Sequence, residues 1–188
     1  MDVNAAVMLA SSKGRRLSPR LGRSKKYKHW VSEDDLIRCL ECEKMQGKIW
    51  YIDEEPEIKP ELHPNCRCHI EPMETIQAGT ATIDGFSGAD WAVKYSGMLP
   101  GFYLKKQEAS SFGWKAGKSP SNFIPGKMIG GDVYCNNNNH LPYSFGRIWY
   151  EADINYISGK RDGQRIVWSN DGLVFVTYDH YMTFYEII

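Results

Sequence analysis

From Asp132 onward the apolar positions of this chain recur every second residue; before it they fall in short clusters at helical spacing. Between Arg147 and Tyr156, the residues Ile148, Tyr150, Ala152, Ile154 and Tyr156 share one face of a strand, and Trp149, Glu151, Asp153 and Asn155 share the other. The first set predicts the core face and leaves Glu151 on the open side. Ile166 and Trp168 oppose Arg165 and Val167 in the same way, and Asn170-Asp171-Gly172 is a hairpin turn signal. Strands are also expected over Asp132 to Cys135, Leu173 to Thr177 and Tyr181 to Ile187. Ahead of them, Trp91 and Tyr95 at i,i+4 predict a short helix with an aromatic face on the sheet, and Lys105 to Ala109 a second. The pattern over residues 84–188 is that of an α+β fold, with small N-terminal helices packed on an antiparallel sheet of four to five strands.

Charge divides the rest of the chain. The formal net charge is zero, yet residues 1–28 carry eight Lys/Arg against one acid, and residues 29–75 carry five against twelve. Residues 1–28 are read as a basic flexible arm, 29–72 as a small Cys-rich module and 73–83 as a linker. In the module, Ser32 followed by Glu33, Asp34 and Asp35 predicts a helix start, with Leu36, Leu40 and Met45 as its apolar face. Ile49 to Ile52 reads as a short strand. No run of about 18 apolar residues predicts a membrane span. The apolar patch Ala5 to Ala10 precedes the basic residues instead of following them, so no secretory signal is read. The expected location is outside the cell by a non-classical route, or otherwise the cytoplasm.

Four of the five cysteines fall within residues 39–68. Cys39-x2-Cys42 is followed by Cys66-x-Cys68, with His63 and His69 flanking the second pair. Zn²⁺ takes four thiolate or imidazole ligands in a tetrahedron, and paired ligands close one corner each. Cys39, Cys42 and Cys66 are the candidate ligands, with Cys68 or His63 as the fourth. A module this small and this charged buries little surface alone, which is a physical reason to expect a structural zinc.

The region from Glu151 to Tyr181 holds a carboxylate, two arginines and a histidine. RNA carries its own nucleophile, the 2′-hydroxyl. It can be cut without metal if a base removes that proton, an acid protonates the departing 5′-oxygen, and cations hold the phosphoryl oxygens. Glu151 is the candidate base, His180 the acid, and Arg161 and Arg165 the phosphate clamp, since a planar guanidinium can grip two oxygens. Nearby cations are expected to keep Glu151 ionised. Each residue also has a plainer reading. A strand glutamate is usually a solvated charge, a turn histidine usually just polar, and an arginine usually pairs with an acid, for which Asp153 and Asp162 are available.

Residues from about Phe86 onward resemble the barnase family of small bacterial ribonucleases. The matching strings are Leu99-Pro100, QEASSFGW, PGKMIGGD, Leu141-Pro142, GRIWYEADINY and the DHY-TF of Asp179 to Phe184. The resemblance implies a microbial ribonuclease fold with Glu151 as general base and His180 as general acid. It implies phosphate contacts from Lys106, Arg161 and Arg165, Lys106 being chosen over Lys105 by the QEA that follows it. It also implies a base-binding loop of Tyr134, Cys135, Asn136, Asn137 and Asn138, with Tyr181 near the bound base and Arg147 as a structural arginine. The implied reaction gives a 2′,3′-cyclic phosphate and then hydrolyses it, with no cofactor. Asn138 replaces a glutamate that accepts two guanine N–H groups; an amide offers one acceptor oxygen, so a weaker guanine preference is expected. A toxin role with a barstar-like acidic inhibitor as partner is expected from the same resemblance. The segment from Lys28 through His63-Pro64-Asn65-Cys66-Arg67-Cys68 resembles the C-terminal part of phage minor head or head-morphogenesis proteins. The rival reading is therefore a phage-associated structural or RNA-binding protein with an inactive ribonuclease fold.

Overall fold

The computed structural model of the chain describes residues 17–33 and 39–188. Their strands form one sheet of nine, not four to five, in the spatial order β2-β1-β3-β9-β8-β7-β6-β5-β4. The strands are β1 Leu21–Val31, β2 Ile49–Tyr51, β3 His69–Ile76, β4 Tyr103–Leu104, β5 Met128–Tyr134, β6 Trp149–Asp153, β7 Arg165–Ser169, β8 Val174–Thr177 and β9 Tyr185–Ile187. Pairing is antiparallel except at β3–β9 and β4–β5, which are parallel. Three α-helices accompany it among the described residues: α1 Leu40–Met45, α2 Ala89–Ser96 and α3 Lys106–Ser111. None of them is long and apolar enough to cross a membrane.

The α+β class is as expected; of the extra strands, β1 runs from the part read as arm into the Cys-rich module, β2 lies in that module, β3 runs from it into the part read as linker, and β4 precedes α3. Residues 1–16 of the arm lie outside the described residues, but Leu21 to Lys28 belong to β1, and Met73 to Ile76 close β3. β1 reads as polar, yet Tyr27 and Trp30 are buried, because Tyr27 packs with Ile49, Met73 and Phe175 and Trp30 with Cys42, Met45 and Trp50. Its register with β3 shifts between Arg23 and Lys28, a bulge that strengthens local twist. The remaining linker is tied down by the buried Asp90 of α2, whose carboxylate accepts from Gly79 N (2.7 Å), Ala81 N (2.9 Å) and Thr82 Oγ1 (2.8 Å).

Both sheet faces carry a core, and this corrects the alternation reading of β6. On one face Ala152 and Ile154 join Ile166, Trp168, Val176 and Ile187 beneath Ala89 and Val93 of α2. On the other, Trp149 packs with Val167, Phe175 and Phe184 and with Tyr27, Ile49 and Met73 of the N-terminal strands. The sheet curls far enough to bring the Tyr27 ring to 5.4 Å from Phe175. Trp149, expected on an open face, is therefore buried, and so are Asp153, against Arg161 and Arg165, and Asn155, against Ile83 and Gln164. α2 is also turned from the expected angle: Ala89, Asp90 and Val93 face inward and Tyr95 is largely exposed, although Trp91 and Tyr95 do touch. In α1 the inward residues are Cys42 and Met45 while Leu40 is exposed; Asp34, Asp35 and Leu36 lie outside the described residues.

Candidate active site

Glu151 sits at the middle of β6, paired with Asp132 of β5 and Val167 of β7. Its carboxylate is approached from two sides. Lys106, the first residue of α3, places Nζ 2.8 Å from Oε1, and the Tyr181 hydroxyl donates a short hydrogen bond to Oε2. α3 is aimed by its N-terminal end: Lys105 N donates to Glu108 Oε2 at 2.7 Å, and Lys106 N donates to Asp132 Oδ2 at 3.0 Å. Burial pushes the Glu151 carboxyl up, but the bonds from Lys106 and Tyr181 and the positive charge of Lys106 and Arg165 bring it below its ordinary 4.5. The base candidate is thus ionised at neutral pH, as the sequence reading expected.

The two arginines meet on Asp153, two residues along the same face. Arg161 Nε and Nη2 donate to its two oxygens at 2.7 Å each, and Arg165 Nε lies 3.1 Å from Oδ1. The plainer reading of an arginine paired with an acid is correct in geometry. However, one carboxylate faces two guanidiniums, so the cluster keeps a net positive charge. Arg165 is buried, and its Nη1 donates to Gln164 O at 2.7 Å. Asp153 is the residue the sequence reading did not assign to the site; its i+2 spacing from Glu151 was the available signal.

His180 is exposed on the turn between β8 and β9, with φ +62°. Its N–H donates to Gly163 O at 3.1 Å, and Gly163 leaves the room: a Cβ there would meet His180 Cβ and N at 2.9 Å. The histidine ring lies 5.0 Å from the Tyr181 ring, which touches Glu151 and stacks on Tyr134 at 4.9 Å. Burial pushes the Tyr134 hydroxyl up to about 12, so it stays protonated.

One open cleft is lined by Lys106, Glu151, Tyr134, Tyr181 and the loop Cys135 to Asn138. The loop is closed by the Asn136 amide, which donates to Leu141 O and accepts from Leu141 N, both at 3.1 Å. Asn136 and Asn139 hold left-handed backbone, which asparagine tolerates. Asn138 Oδ1 accepts from His140 N at 3.3 Å, so the single amide acceptor is drawn into the loop itself. Cys135 is a free, exposed thiol. The structure brings Glu151, Lys106 and the loop Cys135 to Asn138 into one cleft and sets Arg161 and Arg165 together on Asp153.

The cysteine reading is also met by geometry. Cys39 caps α1, its Sγ accepting from Cys42 N at 3.4 Å. Cys42 Sγ lies 3.3 Å from His63 Nε2 and 3.7 Å from Cys66 Sγ. The ligand atoms of Cys39, Cys42 and His63 lie within 4.8 Å of one another, as do those of Cys42, Cys66 and Cys68. Left-handed backbone at Glu61 and Asn65 turns the loop that presents His63 and Cys66. This cluster could hold a metal ion.

A model of a ribonuclease family matches residues 91–188. A ribonuclease from Heyndrickxia coagulans is 48% identical over 109 residues, which is 57% of this chain and 99% of that protein. Ribonucleases from Bacillus intermedius and Bacillus pumilus are 48% identical over the same length, covering 67% of each.

Proposed function

This chain belongs to the ribonuclease family as an endoribonuclease, and from that premise we propose that it cuts single-stranded RNA by metal-independent transesterification. The observation that carries the reading is the ionised Glu151 held between Lys106 and Tyr181 in the cleft that also presents the base loop. Glu151 takes the 2′-hydroxyl proton as that oxygen attacks phosphorus. His180, protonated, gives its proton to the departing 5′-oxygen, and a 2′,3′-cyclic phosphate results. Lys106, Arg161 and Arg165 face the phosphoryl oxygens as charge builds on them. In the second step water attacks the cyclic ester, His180 takes the water proton, and Glu151 returns a proton to the 2′-oxygen. Asp153 and Tyr181 act as positioning residues, the first for both arginines and the second for Glu151.

The base loop supports a weakened guanine preference. Asn138 has one acceptor oxygen, which also accepts from His140 N, where recognition of guanine N1–H and N2–H needs two acceptor oxygens. Asn138→Glu is expected to raise the preference for cleavage after guanine over adenine by about tenfold. An unchanged ratio in dinucleotide assays would remove Asn138 as the determinant. We also infer a toxin role. An acidic inhibitor protein would find Lys106, Arg161 and Arg165 as its contact, steered by charge. Within the same reading the Cys/His cluster holds a structural Zn²⁺, the metal suited to thiolate and imidazole together.

The test is product analysis in EDTA. Oligonucleotides ending in 2′,3′-cyclic phosphate should accumulate first and convert more slowly to 3′-phosphate. Products with 5′-phosphate ends would place the reaction in another class.

A further inference from the structure

We propose that metal in the N-terminal Cys/His cluster holds the RNA-binding loops of the enzyme in place, so that substrate affinity depends on Zn²⁺. The inference rests on the endoribonuclease and zinc readings above and adds the link between them.

The cluster has the dimensions of a metal site. Cys42 and Cys66 sulfurs at 3.7 Å are far too long for a disulfide, about 2.05 Å. They match the edge of a tetrahedron, about 3.8 Å, built on Zn–S bonds of about 2.3 Å. His63 Nδ1 lies 2.9 Å from Pro64 O, and the carbonyl can only accept, so Nδ1 carries a proton while Nε2 is turned to the Cys42 sulfur. A metal-binding histidine is ordinarily oriented by such a bond. The donors come from α1 and from the loop at 63–68, and α1 has only six residues, too few to persist without an anchor.

The other end of α1 reaches the catalytic domain. Lys44 O accepts from His140 Nε2 at 2.9 Å, and Ile49 N donates to His140 O at 2.8 Å. His140 is buried and is gripped on both ring and carbonyl by the N-terminal module. It adjoins Leu141, which closes the base loop through Asn136, and its own N–H bonds Asn138. The turn between α1 and β2 is clipped to β1 by Gly47 N donating to Trp30 O (3.0 Å) and Trp30 N donating to Lys48 O (2.9 Å). That turn also abuts the loop bearing His180 and Tyr181: a Cβ at Gly47 would lie 2.1 Å from Met182 O. Beyond β2's start, Tyr51 OH accepts from Arg147 Nη2 at 3.1 Å, and Arg147 Nη1 donates to Pro142 O at 2.7 Å. One metal-anchored turn therefore braces both the base loop and the acid loop.

The test uses the full chain purified under reducing conditions. Metal analysis should give one zinc per chain. Stripping the zinc should raise KM for a dinucleotide substrate roughly tenfold, with a smaller fall in kcat as the acid loop loosens, and added Zn²⁺ should restore both. His140→Ala should keep its zinc and its fold yet show the raised KM, with no rescue by Zn²⁺. A chain that binds zinc and keeps its KM on stripping would overturn the link and leave the zinc reading standing. No zinc at all would overturn both. If the stripped chain unfolds, His140→Ala decides alone, and an unchanged KM there overturns the link.

Discussion

Asp153→Asn tests the electrostatic frame of the site. The Asp153 side chain is 2% exposed, Arg165 is 7% exposed, and Arg161 is 22% exposed. Removing one partner of a buried ion pair costs about 3–5 kcal/mol, because the remaining cation stays out of water without its counter-charge. Asparagine keeps the volume and one acceptor, which places the loss near the lower end, about 3 kcal/mol. For a chain of this size each kcal/mol moves the melting point by roughly 2–4 °C, so the expected drop is roughly 6–12 °C. Thermal unfolding followed by circular dichroism at neutral pH measures it. The double variant Asp153→Asn with Arg161→Gln should lose less than the two single losses together, since both remove the same contact. Activity should fall as well, by about tenfold or more in kcat/KM, as both arginines lose their anchor. A melting point within about 2 °C of the wild type would refute the claim that Asp153 compensates the buried Arg165 and the partly buried Arg161.

Two other perturbations probe the N-terminal half. Burial holds His29 of β1 down from 6.5 to about 4, against the weaker pull of Glu71. The unfolded imidazole takes up a proton before the folded one can, so stability is whole above 6.5 and is lost as pH falls toward 4. The loss amounts to about 3 kcal/mol, and His29→Gln should flatten that limb of a urea-unfolding series; an unchanged slope would assign the acid limb to other groups. Gly47→Ala adds a left-handed backbone penalty of about 1–2 kcal/mol to the collision with Met182 O, so its melting point should fall by several degrees, and a neutral substitution would show that the turn does not abut the acid loop.

The ribonuclease half of the chain was legible because its side chains alternate on a regular period. Ala152, Ile154, Ile166 and Trp168 lie in the core that alternation assigned to them. The error lay on the opposite face. Trp149 was read as open because Tyr27, Ile49 and Met73, which pack on it, lie far earlier in the chain, and Asp153 because the two arginines that cover it come after the next turn. β1 hides its role: Lys25, Lys26 and Lys28 read as a solvated arm, and the bulge after Arg23 breaks the period that would have marked a strand. Only its pairing with β2 and β3 reveals Tyr27 and Trp30 as core. The cysteine spacing announced a cluster, and residue types made Glu151, His180 and the cations the candidates. The joint grip of Arg161 and Arg165 on Asp153, and of Lys44 and Ile49 on His140, depends on tertiary approach that no local pattern encodes.

The most direct test of the central claim is cleavage of saturating RNA in EDTA by the wild-type chain beside Glu151→Ala and His180→Ala. Saturation removes any effect of zinc loss on affinity. The wild type should generate 2′,3′-cyclic phosphate ends, and each variant, folded by circular dichroism, should lose that activity by two or more orders of magnitude, the usual share of a general base or acid. Undiminished cleavage by either folded variant would contradict the assignment of that residue. A folded wild type that leaves RNA intact would contradict the enzyme's mechanism as a whole.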